Sequence, residues 1–295
     1  MNEKTSKQKK YKSLKRRKTA GDVAVYIILT ILSIIWITPL VLLVLESFRC
    51  ETTMQVGYVI PKQWGFDNYI NLFSDLKKGF GRWYLNTFII AVFTSLINTF
   101  MVICMSYTLS RMRFKGRKFL MNFMLVMGMF PGFLGMIILY KVLYSLNLTQ
   151  EHSIPGLILV YTASSAMGYY VSKGFFDTIP KSLDEAALVD GATRLQVLVK
   201  IILPMSKPIV IYTILTAFMS PWADFMFASY IAHNTSSGMN VAVGLNNMIG
   251  STASLAAHYT EFCAGGVLVA IPITILFMCL QKYYVEGVTG GAVKG

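Results

Sequence analysis

Six strongly apolar stretches divide the chain: residues 23–45, 84–110, 119–140, 154–171, 208–223 running on to 232, and 262–281. Each meets or approaches the roughly 20 residues a helix needs to cross a bilayer, so the pattern predicts an all-α membrane protein with six transmembrane helices. The fourth stretch is the shortest and can extend to Phe176, because the long side chain of Lys173 can snorkel to the interface.

Between the fourth and fifth stretches the pattern changes. Residues 179–208, IPKSLDEAALVDGATRLQVLVKIILPMSKP, are polar and read as two short helices. Ser182 with Glu185 has capping-box spacing after Pro180, and Thr193 with Gln196 repeats it. Gly191, following Asp190, can take the left-handed conformation that ends the first helix. Leu195, Leu198, Val199 and Ile202 recur at i, i+3, i+4 and i+7, giving the second helix one apolar stripe until Pro204 ends it. Two capped helices hinged at a glycine make a projection able to dock in another protein's groove, although an ordinary interfacial loop has the same spacing. Ala186 and Ala187 are small enough for close approach, and Asp184 and Glu185 offer charge to basic residues across a contact.

Polar and helix-breaking residues inside the stretches are the other candidates. Asp224 is the sole acidic residue in any predicted span, which makes it a candidate for gating or hydroxyl binding. It also lies near one end of its span, where it could bond Trp222 or water. Pro221 beside it would break the helix and set a hinge. Pro131 breaks the third span near its middle, and such breaks often line pathways. Tyr161 could stack on a sugar ring or sit among the helices. Asn86 and Asn98 read as interhelical hydrogen-bonding amides.

Composition agrees: 55% of residues are hydrophobic and 14% charged. The net charge of +13 would suit nucleic acid, but its placement points elsewhere. With the amino terminus inside, inner segments hold 21 of the 27 Lys and Arg: nine before Asp22, five at 111–118, five at 173–207, then Lys282 and Lys294. That asymmetry is the positive-inside rule and places both termini and the 179–208 segment in the cytoplasm. Membrane lipid, not nucleic acid, is the partner expected for the basic amino-terminal cluster. The four cysteines form no disulfide framework. There is no phosphate-binding G-x-x-x-x-G-K-[ST] loop, no metal-ligand spacing among the histidines, and no catalytic constellation.

The string E-A-A-x-x-D-G-A followed by I-x-L-P-x-x-x-P resembles the coupling motif of ATP-binding-cassette importer permeases, in the form found in carbohydrate permeases. RMRFKGRK, NVAVGLNNM and the ending VEGVTGGAVKG resemble the same family, closest to the membrane subunit of maltose and maltodextrin importers that pairs with a larger permease. The resemblance implies a type I importer permease fold whose coupling helix lies between spans four and five. Its ATPase contacts would include Ser182, Asp184, Glu185, Ala186, Ala187, Asp190, Gly191, Leu195 and Pro204. It implies that Thr289, Gly290, Gly291, Lys294 and Gly295 enter the interface between ATPase subunits, with glycines giving the necessary flexibility. The outer loop 234–261 would reach toward an extracytoplasmic binding protein. The implied partners are a second permease, a cytoplasmic ATPase dimer carrying ATP and Mg2+, and that binding protein; this chain itself would bind no cofactor and catalyse no reaction in a bacterial inner membrane.

The expected organisation is a basic tail (1–22), a first helix and outer loop (23–83), a permease core (84–285) and a cytoplasmic tail (286–295). Other oligosaccharides, sugar phosphates and polyols stay open as cargo. A secondary transporter would also explain six spans and Asp224, but predicts internal repeats, of which none is convincing. A membrane scaffold would explain docking helices without a pathway.

Overall fold

Apolar length becomes helix, because a backbone in hydrocarbon must satisfy its own hydrogen bonds. The computed structural model describes residues 2–51, 57–74, 79–129, 132–233 and 235–292, with side chains over 22–51, 57–74, 79–129, 135–233 and 235–283. Among the described residues there is no strand, only an isolated antiparallel bridge between Arg49 and Trp64.

Among the described residues, three helices are long and apolar enough to cross a membrane by themselves: the 22–47 part of α1 (Asn2–Ser47), α3 (Phe80–Arg111), and the 252–283 part of α14 (Thr252–Ala292). The third, fourth and fifth apolar stretches do not form single helices. The third stretch is divided between α4 (Arg117–Met129) and α5 (Gly132–Ser145); Pro131 lies outside the described residues. The fourth is a pair, α6 (Ser153–Ala163) and α7 (Ala166–Asp177), bent by 40° at Ser164 and Ser165. The fifth is interrupted too, with α11 (Lys207–Ala223) and α12 (Met226–Ala232) separated by Asp224 and Phe225. Pro221 stays inside α11, so the break falls at Asp224 and not at the proline as expected.

The central helix is α3. It packs on α6, α7, α11 and α13 (Val241–Met248), burying Ile90, Leu157, Phe218, Trp222 and Val243 in one core. Its polar residues join helices, as expected of amides in spans. Asn86 Nδ2 donates to the Ser237 and Met239 carbonyls at 2.9 Å each, and Asn98 donates to Ser165 Oγ across to α7. Thr87 Oγ1 accepts the Val241 amide at 2.7 Å. Gly244 of α13 lies against the Trp83 ring, where an added Cβ would come within 2.0 Å of a ring carbon.

Within 235–261 the chain is partly helical and packs on the bundle. Its VAVGLNNM string is α13, capped by Asn240, whose Oδ1 accepts the Val243 amide at 2.9 Å; Val241, Val243 and Leu245 are buried. At the same end, Arg49 is fully buried and paired with Glu46 at 2.8 Å, and Asn68 of α2 (Asp67–Ser74) bonds the Ser47 and Arg49 carbonyls. α1 packs on α14, but its most apolar window is wholly exposed on this chain. The carboxyl-terminal tail continues as helix to Ala292, so Thr289, Gly290 and Gly291 lie on helical backbone; Lys294 and Gly295 lie outside the described residues.

Candidate functional site

The 179–208 segment folds as two helices, with local corrections to the expected caps. α8 (Lys181–Val189) begins after Pro180, whose fixed φ suits the cap position, so Ser182 sits within the first turn and forms no capping bond. At the other end Gly191 has φ +85°; its amide donates to the Leu188 carbonyl at 3.1 Å, and Ala192 donates to Ala187 at 2.9 Å. These two bonds make a Schellman termination. The Thr193–Gln196 capping box is complete, at 3.3 and 2.7 Å, and starts α9 (Arg194–Val197).

Pro204 does not end this second helix. A π-helical turn (Leu198–Ile202) leads into α10 (Leu203–Met205), which contains Pro204; the chain then turns by 83° into α11. The wider turn alters the helical phase, and the buried set is Val197, Leu198 and Ile202, while Leu195 and Val199 of the expected stripe are exposed. The buried three pack with Tyr107 of α3 and Phe176 of α7, and Tyr107 Oη donates to the Arg194 carbonyl at 3.1 Å.

Asp184 points inward. It is buried and ion-paired with Arg111 at the end of α3, Nε to Oδ2, at 2.6 Å, so it offers no charge to a partner. Burial raises its carboxyl above the ordinary value, and the Arg111 guanidinium opposes that only in part. Arg111 also donates to the Ile179 carbonyl at 2.9 Å, pinning the segment's start to the bundle. Glu185, Ala186, Val189 and Asp190 remain exposed, whereas Ala187 packs inward. The free surface is thus one acidic–apolar face beside a concavity of about 420 Å³ lined by Asp190, Gly191, Gln196 and Lys200. Arg111 is what sequence reasoning missed; it lies in the basic RMRFKGRK turn, for whose charges topology alone is a sufficient account.

A second cluster lies at the α11–α12 break. Tyr161 Oη donates to Asp224 Oδ2 at 2.5 Å, and Asp224 Oδ1 accepts the Phe227 amide at 3.1 Å, capping α12. Asn240 Nδ2 donates to the Pro221 and Asp224 carbonyls at 3.0 and 2.7 Å, satisfying acceptors freed by the helix break. Trp222 is buried against Tyr84 and Phe218, its Nε1 without a hydrogen-bond partner, and is not the group that holds Asp224. Beside Tyr161, a cavity of about 270 Å³ is lined by Asn98, Ser164, Ser165, Tyr212, Thr216 and Ser220. The residues at 212, 216 and 220 recur every fourth position, a signal present in the sequence but not singled out. Among the described residues, no group of His, Cys, Asp and Glu is placed to hold a metal ion.

Comparison with known proteins places this geometry. Residues 103–290 match the family described as the binding-protein-dependent transport system inner membrane component. The chain is 35% identical over 272 residues to the galactooligosaccharides transport system permease protein GanQ of Bacillus subtilis, covering 92% of this chain and 94% of that one. It is equally 35% identical, over 283 residues, to the maltodextrin transport system permease protein MalD of Streptococcus pneumoniae, covering 96% and 98%. A chain from the crystal structure of a bacterial ABC transporter involved in the import of the acidic polysaccharide alginate superposes with a TM-score of 0.75 at 23% identity, covering 91% of this chain and 98% of that one.

Proposed function

The chain belongs to the family of binding-protein-dependent transport system inner membrane components, and from that premise we propose that it is the permease subunit of an ATP-driven importer of malto-oligosaccharides. The 35% identity to both a galactooligosaccharide and a maltodextrin permease supports an oligosaccharide importer, and the match that spans more of this chain, 96% against 92%, is the one to the maltodextrin permease. The family match also contains the whole 179–208 segment, with Glu185 and Ala186 on its free face.

In this proposal the six apolar stretches cross the membrane six times, some as broken helices, with both termini and α8–α10 on the cytoplasmic side. This chain and a larger permease form the pathway. ATP and Mg2+ reside on a cytoplasmic ATPase dimer that docks on the face formed by Glu185, Ala186, Asp190, Gly191 and Leu195, and a binding protein delivers cargo from outside. Arg111–Asp184 and the Tyr107–Arg194 bond tie the docking segment to α3, and Phe176 of α7 packs on its buried apolar residues, so force applied at α8 moves the bundle. The tail from 286 onward reaches the ATPase interface. Cargo moves only if it contacts the two states of the pathway differently.

The test is ATPase activity and sugar uptake of the complex reconstituted in lipid with binding protein. Stimulation is expected with maltotriose or maltotetraose. Stimulation by another glycan alone would replace the sugar, and failure to assemble with any ATPase would overturn the importer assignment.

A further inference from the structure

The cavity beside Tyr161 has a chemistry the proposed function does not use. Tyr212, Thr216 and Ser220 are exposed along one face of α11, and Ser164 is exposed opposite them at the α6–α7 break. Hydroxyls along a membrane helix are poorly matched to lipid, so this face looks onto either a partner or an aqueous path. Its depth favours the path. Ser164 and Ser165 lie midway along the α6–α7 pair, and Thr216 is about 14 Å from the start of α11 at 1.5 Å per residue, close to the middle of a core about 30 Å thick. A broken helix at the midplane frees backbone carbonyls, which is where irregular backbone in membranes lines cavities.

We propose that this face, formed by Tyr161, Ser164, Tyr212, Thr216 and Ser220, is a contact site for uncharged glycans in the pathway and disfavours anionic ones. The proposal rests on the importer assignment and adds that this chain itself touches the cargo. Thr216 Oγ1 already donates to the Tyr212 carbonyl at 2.9 Å and so offers lone pairs to a sugar hydroxyl, Ser164 and Ser220 can donate or accept, and a half-exposed tyrosine offers a ring face for stacking. Tyr161 donates its proton to Asp224 and so presents its lone pairs to a donor. Each such neutral bond gains little once water is displaced, which suits a site that must release its cargo. No lining residue is basic, and the ionisable group bonded to the Tyr161 wall is an acid. A uronate or sugar phosphate would find no counter-charge there.

The experiment uses the assembled complex in nanodiscs with Ser220→Cys, a one-atom change, and a small charged thiol reagent, corrected for labelling of the native cysteines. Maltotriose at about four times its dissociation constant is expected to slow labelling about fivefold, since the free fraction of the site is then about one fifth, whereas trigalacturonate does not. A Ser220→Cys thiol that is never labelled would show the face buried against the partner permease and overturn the proposal. Equal labelling with and without maltotriose, or protection by trigalacturonate, would overturn it as well. In a second variant, Thr216→Val with Ser220→Ala, sugar imported per ATP hydrolysed is expected to fall about fivefold; an unchanged ratio would again sink the site. Absence of uptake of any glycan by the wild-type complex would instead refute the importer assignment, which the labelling data do not depend on.

Discussion

Asp177 and Asp184 differ by seven positions and answer their surroundings in opposite directions. Burial works against the Asp177 carboxylate, but the Lys173 ammonium at 2.5 Å and the Ser110 hydroxyl at 2.6 Å outweigh it and hold the carboxyl below its ordinary value. The unfolded chain therefore binds that proton more tightly; the stabilisation is present above the ordinary value near about 3.9 and is lost as pH falls through the lower folded value. The gap in Tm between wild type and Asp177→Asn should be present at pH 6 and close on acidification below about pH 4; a gap independent of pH would refute this. Asp184 is ion-paired to one guanidinium, with the Lys181 ammonium acting more weakly. Arg111→Ala leaves a buried carboxyl without its cation and should cost about 3–5 kcal/mol, read as a lowered Tm together with faster proteolysis within 181–205. Unchanged protection of that segment would mean that apolar packing alone holds it.

At the scale of elements, the informative features are the breaks. α11 and α12 are separate because Asp224 adopts an extended conformation (φ −81°, ψ 103°), and its side chain bonds both α12 and α6. Sequence marked Asp224 as exceptional but suggested Trp222 or water as its partner; Tyr161, 63 positions away, is supplied by tertiary structure. If the Tyr161–Asp224 bond holds the resting arrangement, Asp224→Asn and Tyr161→Phe should both raise ATPase activity in the absence of binding protein. Wild-type activity in both would leave Asp224 with a capping role only. The π turn before Pro204 makes a similar point, since a heptad-like pattern cannot register a turn that is one residue wider.

For the whole molecule, the wholly exposed apolar window of α1 and the exposed face of α8 and α9 describe a subunit completed by others. Glu185 is exposed on α8; under the proposed docking of the ATPase on that face, Glu185→Lys should leave the isolated chain's Tm unchanged and lower uptake per ATP about tenfold or more, the equivalent of roughly 1.4 kcal/mol of lost coupling. Normal coupled uptake would remove Glu185 from the interface.

Sequence by itself determined that the chain is helical and membrane-embedded, because apolar length and basic asymmetry are properties of composition along a line. It also determined the Thr193–Gln196 cap and the left-handed Gly191, because those depend on neighbours within four residues. It did not determine which side chains turn inward. Asp184 and Glu185 are adjacent acids of the same charge, and it is Arg111, positioned at the end of α3, that pairs with the buried one and leaves the other exposed. Nor could it show that Val241, Val243, Gly244, Leu245 and Met248 are buried, because the ring of Trp83 that fills the space over Gly244 comes from a helix far earlier in the chain. Whether a polar residue is ligand, cap or interhelical bond depends on what lies across from it in space, and long-range packing alone decides that.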